Sequence, residues 1–564
     1  MLPIQFIFLL IIVSLPSQFA QAAKDAGGTM PSVNFVSVPL AFASLWLTQL
    51  ALVAWVLWRT RKAIRLLHEP TASATPIALL TDRIFARARW LTCLITAAHL
   101  FSTPIPKTAF GWFAGTHILK YLLLPEFLFL APAVLAWLAI WTASYRVESA
   151  IRERSMPFNL ARGQRVHEMP SLGQYVVMQM RHSFYPILFL LFQGFVTALA
   201  ALITRFTPSD PKGNLAQSIA TIATVIPLFL MLPFLLTRMW STEPLGGALR
   251  QRLDRVAELY GLRFRNIRLW RSHNMLINAA IVGWIPRARY FLMSDALVES
   301  FSDQQLESVF AHEVGHGVHR HLHWLILSFA GVLALAGGLA GLAIALLPLN
   351  PAQGDVVAIV LSAVLSCGLV AGAIALISPR FEHQADWFAC RHMALMLRES
   401  SAPQTAAAPP DEPPPAALRQ PLTAAPTPAE NITVEQYVAG AYPHTHTAAS
   451  QAAPPSPAKY QETGTPPVEL AGAEVFVSAL EAIIATSHRD RTRRGWFHPS
   501  VANRVALVRD LAVNPMAEAR FNRTMRRTRL GILGLAVLGM GALIALASLP
   551  TPPGAPAAPA HAQG

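Results

Sequence analysis

The sequence predicts a mainly α, polytopic helical membrane protein with a cytoplasmic α+β domain, and three observations carry that expectation. Hydrophobic residues make up 53% of the 564 and charged residues 13%, a ratio outside the range of soluble domains. Apolar runs long enough to cross a bilayer recur near 38–58, 119–143, 184–204, 217–238, 324–348, 355–377 and 530–549. Between the fourth and fifth of these lies an H-E-x-x-H motif, His312, Glu313 and His316, in a segment patterned like a folded unit.

A net charge of +14 raises the question of nucleic acid. The arginines, however, lie in loops between apolar runs and so read as a topology signal; no nucleic-acid partner is expected. The run at 88–106 is marginal, containing His99 and ending in Ser102–Pro106. If it spans, then Arg59, Arg61, Lys62 and Arg65, the stretch Arg146–Arg165 and the stretch Arg238–Arg271 all fall on one side, the cytoplasm. The expected setting is therefore a multi-pass protein of the cell (inner) membrane, its motif facing the cytoplasm, with the bilayer as a partner and the oligomeric state open. His99 and Glu126 are ionisable groups inside apolar runs, which either line a wet chamber or sit at span ends. The cysteines, Cys93, Cys367 and Cys390, are too scattered for a disulfide framework or a C-x-x-C site, and the first two read as core.

In chain order, residues 1–22 read as a signal peptide or N-terminal anchor, with an apolar run, Ile4–Leu15, before Ala20-Gln21-Ala22. Residues 23–238 form an N-terminal transmembrane region of about five spans. Segment 239–323 carries the motif. In it, Leu245–Tyr260 has helical spacing and ends at Gly261, three β-like runs follow (Arg263–Leu269, Leu276–Trp284, Arg289–Met293), and Ser302 to Gln305 form a capping box that starts the motif helix. Two spans fill 324–377, and 378–400 is a second helical part of the domain. Residues 401–467 have the Pro/Ala-rich composition of a disordered insert, 468–529 complete the domain, 530–549 is a last span and 550–564 a disordered tail.

On a helix, residues four apart share a face, so His312 and His316 point the same way with Glu313 beside them. Two imidazoles so placed can hold zinc, and the carboxylate can take a proton from an acidified water. With 18 histidines in the chain, chance supplies roughly a few hundredths of such a motif. Zinc needs a third ligand. Seven helical residues rise about 10 Å, which removes His319 from reach of a metal on His312. The longer H-E-x-x-H-x-x-G-x-x-H pattern also fails, since His319 stands where Gly is required and Leu322 where His is required. His319 and His323 therefore read as a polar face near the membrane surface. Glu382 fits as ligand, with Asp386 one turn on to orient an imidazole from behind; His383 and His392 are held in reserve.

The run His312-Glu313-Val314-Gly315-His316 and the run Glu382-His383-Gln384-Ala385-Asp386, separated by two spans, resemble the integral-membrane zinc metallopeptidase (gluzincin) family of the type I CAAX prenyl endopeptidases and HtpX-type proteases. The resemblance implies one Zn2+ per chain and a metalloendopeptidase acting on membrane-associated proteins or peptides, with Glu313 as general base. It further implies that Asn278, before Ala279, helps bind substrate backbone at an edge strand. The late His498-Pro499 followed by Arg504 matches a family feature in which the histidine steadies the oxyanion and the arginine lies in the substrate site. The insert at 401–467 and the span at 530–549 depart from the family pattern. The rival class is a non-catalytic membrane scaffold or transport-related protein with a structural metal site. Closed structural zinc sites have four protein ligands, whereas three are found here.

Overall fold

The computed structural model describes Gln5, Leu9 and residues 36–69, 73–112, 124–161, 169–184, 230–347, 351–401, 468–487, 490–492, 495 and 498–549. The leader, the span near 184–204, most of the span near 217–238, the insert and the tail lie outside the described residues. Among the described residues, five helices are long and apolar enough to cross a membrane, within Val38–His68, Leu128–Pro157, His321–Ala345, Val364–Ser401 and Pro515–Ala547.

The N-terminal bundle consists of α1 (Val38–His68), α2 (Ala74–Ser102), the short α3 (Ile105–Trp112) and α4 (Leu124–Ala161). Along α1 the buried residues are Ala41, Leu45, Gln49, Leu52, Val56, Thr60, Ala63 and Leu67, each three or four from the last as a helix seam requires. The marginal run belongs to α2, a helix of 29 residues that starts well before it and packs between α1 and α4. Some of the buried polar groups inside this bundle are paired across helices. Gln49 Nε2 donates to Thr92 O at 3.1 Å. His99 Nε2 lies 3.1 Å from Ser44 Oγ and its Nδ1 2.9 Å from Ile95 O. The Glu126 side chain is outside the described residues. Cys93 and Cys390 are buried but Cys367 is exposed, because one face of an apolar span meets lipid instead of protein.

Next come α5 (Leu172–Phe184), α6 (Leu230–Met239) and the first strand, β1 (Thr242–Pro244). β1 has only 3 residues, one of them proline, so no alternation announces it. After α7 (Gly247–Leu259), β2 (Asn266–Trp270), β3 (Ala279–Val282) and β4 (Tyr290–Ser294) complete a sheet of order β1-β2-β4-β3. β2 and β4 are parallel; the other pairs are antiparallel. β4 is buried throughout and β3 forms an edge. The ring of His182 stacks on Trp270 at 4.6 Å, and Trp240 stacks on Trp270 at 4.6 Å, tying α5 to the sheet.

The chain then forms α8 (Asp295–Ser300), α9 (Asp303–Val318), α10 (His321–Ala345), α11 (Pro351–Ser401), α12 (Val468–Ser487), α13 (Val501–Val513) and α14 (Pro515–Ala547). The span near 355–377 and the second helical part at 378–400 are one helix of 51 residues, which passes through Pro379 with the loss of one backbone hydrogen bond. Phe291, Phe310, Cys390, Phe476, Val508 and their neighbours form the core beneath the motif. A Cβ at Gly472 would overlap the backbone of Cys390 and Ala394, so glycine there brings α12 onto α11. At Gly331 a Cβ would stand 2.9 Å from Ala536 Cα. The small residue thus lets α10 and α14 approach backbone to backbone, the usual close packing of membrane helices.

Candidate metal centre

The site begins with the start of α9. The Ser302 side chain accepts from Gln305 N, and the Gln305 side chain accepts from Ser302 N, forming the expected capping box and setting the helix phase. Leu306, Val309, Phe310 and Val314 are then buried, which turns His312 and His316 toward α11. α9 ends at His319, and Arg320 takes a left-handed conformation with φ 56°, an uncommon state for a residue bearing a Cβ. α10 therefore starts on a new axis and folds His321 back over α9.

His312, His316 and Glu382 offer ligand atoms all within 4.8 Å of one another. The two Nε2 atoms are 3.1 Å apart. Glu382 Oε2 lies 3.8 Å from His312 Nε2, and Glu382 Oε1 lies 3.6 Å from His316 Nε2. His312 and Glu382 are 7% and 6% exposed, so water solvates them poorly.

The other ring nitrogens explain why these atoms face one another. His312 Nδ1 is 2.9 Å from Asp386 Oδ1 and so carries the proton. His316 Nδ1 is 2.9 Å from His321 Nδ1, and His321 Nε2 is 3.0 Å from Gln384 Oε1. That oxygen also accepts from Arg529 Nη2 at 3.3 Å, so His321 donates through Nε2, accepts through Nδ1, and leaves the proton on His316 Nδ1. Both Nε2 atoms then present lone pairs to each other and to a carboxylate. Such an arrangement is repulsive unless a cation sits among them, and the donor set, two imidazoles and a carboxylate, suits zinc. Burial works to lower the pKa of His312, but the hydrogen bond and charge of Asp386 outweigh it and hold the imidazole above its ordinary value. His316, buried without such a partner, is held below its own.

Asp386 is fully buried and also takes both prongs of Arg504, Nε to Oδ2 at 2.9 Å and Nη2 to Oδ1 at 2.5 Å. Burial opposes the Arg504 charge, but Asp386 more than offsets it and raises the guanidinium pKa. Arg504, expected in the substrate site, is thus committed to the carboxylate behind His312, because a buried anion needs a paired cation. The ring of Phe476 stacks on His312 at 5.9 Å and completes its surroundings.

Glu313 faces the edge strand: Ile281 N donates to Glu313 Oε2 at 2.9 Å. Asn278 lies just before this strand, but its backbone is occupied by β4, since Asn278 N donates to Ser294 Oγ and Asn278 O accepts from Ser294 N. By the alternation of an antiparallel ladder, Ala279 and Ile281 are the residues whose amides face the open edge. His498 is 60% exposed in its side chain, with Nδ1 2.7 Å from Glu382 Oε2. Of the reserve candidates, His383 Nδ1 is 3.9 Å from Asp386, and His392 is buried one turn or more away, paired with Glu307.

The expected polar face needs correction at its centre. His319 and His323 do lie apart from the three ligand atoms, but His321 is 2% exposed, stacks on Phe381 at 4.4 Å and fixes the His316 tautomer. Sequence spacing missed it, because 316 and 321 are not on one helix.

Residues 246–511 match the model of peptidase family M48. The chain is similar to a solved structure described as the crystal structure of S. mikatae Ste24p, with 13% identity over 83% of this chain and 99% of that chain and a TM-score of 0.38. A comparison with curated proteins gives no match. Residues 246–511, the part of the chain that matches peptidase family M48, adjoin helices long and apolar enough to cross a membrane.

Proposed function

We propose that this protein is a zinc metalloendopeptidase that hydrolyses peptide bonds of membrane-associated proteins or peptides on the cytoplasmic side of the cell (inner) membrane. The observation that carries the reading is the meeting of His312, His316 and Glu382 beside Glu313 and an open edge strand. Zinc held by those three residues supplies a Lewis acid that polarises a carbonyl and acidifies water. Glu313, fixed by the Ile281 amide, would take a proton from the attacking water and deliver it to the leaving amine. The substrate runs as an extended strand against Ala279 and Ile281, which leads it past Glu313. His498 approaches the cleft from the Glu382 side and donates to the carbonyl oxygen as negative charge develops there.

The cytoplasmic assignment is supported by where the basic loops meet. Arg154 Nη1 donates to Leu67 O, and Arg152 Nη2 lies 3.4 Å from Asn274 O. The basic ends of α1 and α4 thus share one end of the molecule with the peptidase domain, as the positive-inside rule expects. A scaffold with a structural metal would have no use for a carboxylate held beside the metal group by an edge strand. Glu313→Gln decides between the two: the variant is expected to keep one zinc per chain by metal analysis and to lose at least ~100-fold in peptide hydrolysis. Unchanged hydrolysis would sink the proposal.

A further inference from the structure

We propose that the cavity between α11 and the head of α14 binds the phosphate of an anionic phospholipid headgroup. From Pro515 to Arg529, α14 carries Arg520, Arg523, Arg526, Arg527 and Arg529 against a single acid, Glu518, and its apolar run begins at Leu530. Arginines at that level stand where the helix enters hydrocarbon, in the plane of the headgroups. On the face turned toward α11, Asn522, Arg523, Arg526 and Arg529, with Gln384 opposite, line a cavity of about 380 Å³. No carboxylate is among its lining residues, and Arg523 and Arg526 are exposed. Arg529 is only partly committed: its guanidinium lies over Trp324 at 5.7 Å and gives Nη2 to Gln384, while its buried Nε has no hydrogen-bond partner.

Convergent guanidinium forks over a small polar cavity match the tetrahedral oxygens of a phosphate. The position at Leu530, with Met525 lining the cavity and Trp324 beneath Arg529, favours a phosphate borne on a lipid over one free in solution. The site also touches the metal centre. Arg529, Gln384, His321 and His316 form a continuous hydrogen-bonded chain, so an anion that draws Arg529 from Gln384 changes what holds His321, and through it His316. The effect on turnover rests on the peptidase reading; the lipid site does not.

The test uses the full chain, reconstituted into phosphatidylcholine vesicles with and without phosphatidylglycerol and re-extracted, with retained lipid counted by native mass spectrometry. Wild type is expected to retain phosphatidylglycerol selectively. Arg523→Gln with Arg526→Gln should cut that retention on the order of 20-fold, with circular dichroism confirming that the variant is folded. Arg520→Gln with Arg527→Gln removes the same charge outside the cavity and should stay within about twofold of wild type. Equal losses in the two variants would overturn the cavity in favour of a diffuse basic surface. Displacement of the lipid by millimolar inorganic phosphate would overturn the lipid assignment in favour of a free-phosphate site. Retention is read without turnover, so a failure here is separable from a failure of the peptidase reading.

Discussion

The helices α9 and α11 hold two buried histidine–carboxylate pairs, with the roles exchanged between them. In one, α9 supplies His312 and α11 supplies Asp386, 2.9 Å apart; in the other, α9 supplies Glu307 and α11 supplies His392, 3.1 Å apart. The difference lies in the second ring nitrogen. His392 has both nitrogens occupied, Nε2 by Glu307 and Nδ1 by the Tyr260 hydroxyl at 3.2 Å, and Glu307 is further paired with Arg252 at 3.4 Å. His312 has only Nδ1 occupied, and its Nε2 faces His316 and Glu382. A saturated pair is a structural clamp; an unsaturated one is a ligand held ready. The same chemistry across the same helix crossing is closed on itself in one place and leaves a nitrogen facing His316 and Glu382, a group able to hold a metal ion, a turn or more away.

Three substitutions test that contrast. Glu382→Ala removes a donor from the open cluster, so zinc content is expected to fall from one per chain to near zero, with hydrolysis lost along with it. Zinc retained at one equivalent would remove Glu382 from the ligand set. Asp386→Asn weakens the support behind His312, and competition with a chelator should show metal affinity lowered about 10–100-fold. His392→Leu empties the closed pair and leaves Glu307 short of a partner. It should lower thermal stability by about 2–4 kcal/mol while leaving metal affinity within about twofold. If His392→Leu weakened metal binding as strongly as Asp386→Asn, the two pairs would not be separate devices.

A fourth prediction is the smallest. Tyr260→Phe deletes only the hydroxyl that holds His392 Nδ1, with the ring contact to Phe388 at 4.5 Å preserved. A loss of about 1 kcal/mol in unfolding free energy is expected, with zinc content and hydrolysis unaltered. A measurable change in metal affinity would mean that strain passes between the two pairs along α9.

Much of the site was legible because its parts are local. The motif needs only helical phase, which the Ser302 box and the apolar spacing of Leu306, Val309 and Phe310 provide. Glu382 and Asp386 could be proposed because they too are a turn apart on one helix. The pairing of Arg504 with Asp386 was not legible because the two are 118 positions apart, and nothing in a linear pattern says which buried acid an arginine will meet. His321 was missed for a related reason: it reaches His316 only because Arg320 breaks the helix in a left-handed turn. β1 was silent because three residues cannot display alternation.

The sequence by itself determined the membrane class, the motif helix, its cap and the residue types able to hold a metal. Each of these follows from hydropathy or from periodicity within a single element. Tertiary structure alone decided which ring nitrogens stay open, since that depends on Asp386 for His312 and on His321 and Gln384 for His316. It also decided that Arg504 pairs with Asp386, the carboxylate behind His312. Those outcomes depend on hydrogen bonds between helices far apart in the chain, and a buried polar group takes the partner that packing brings within 3 Å or so.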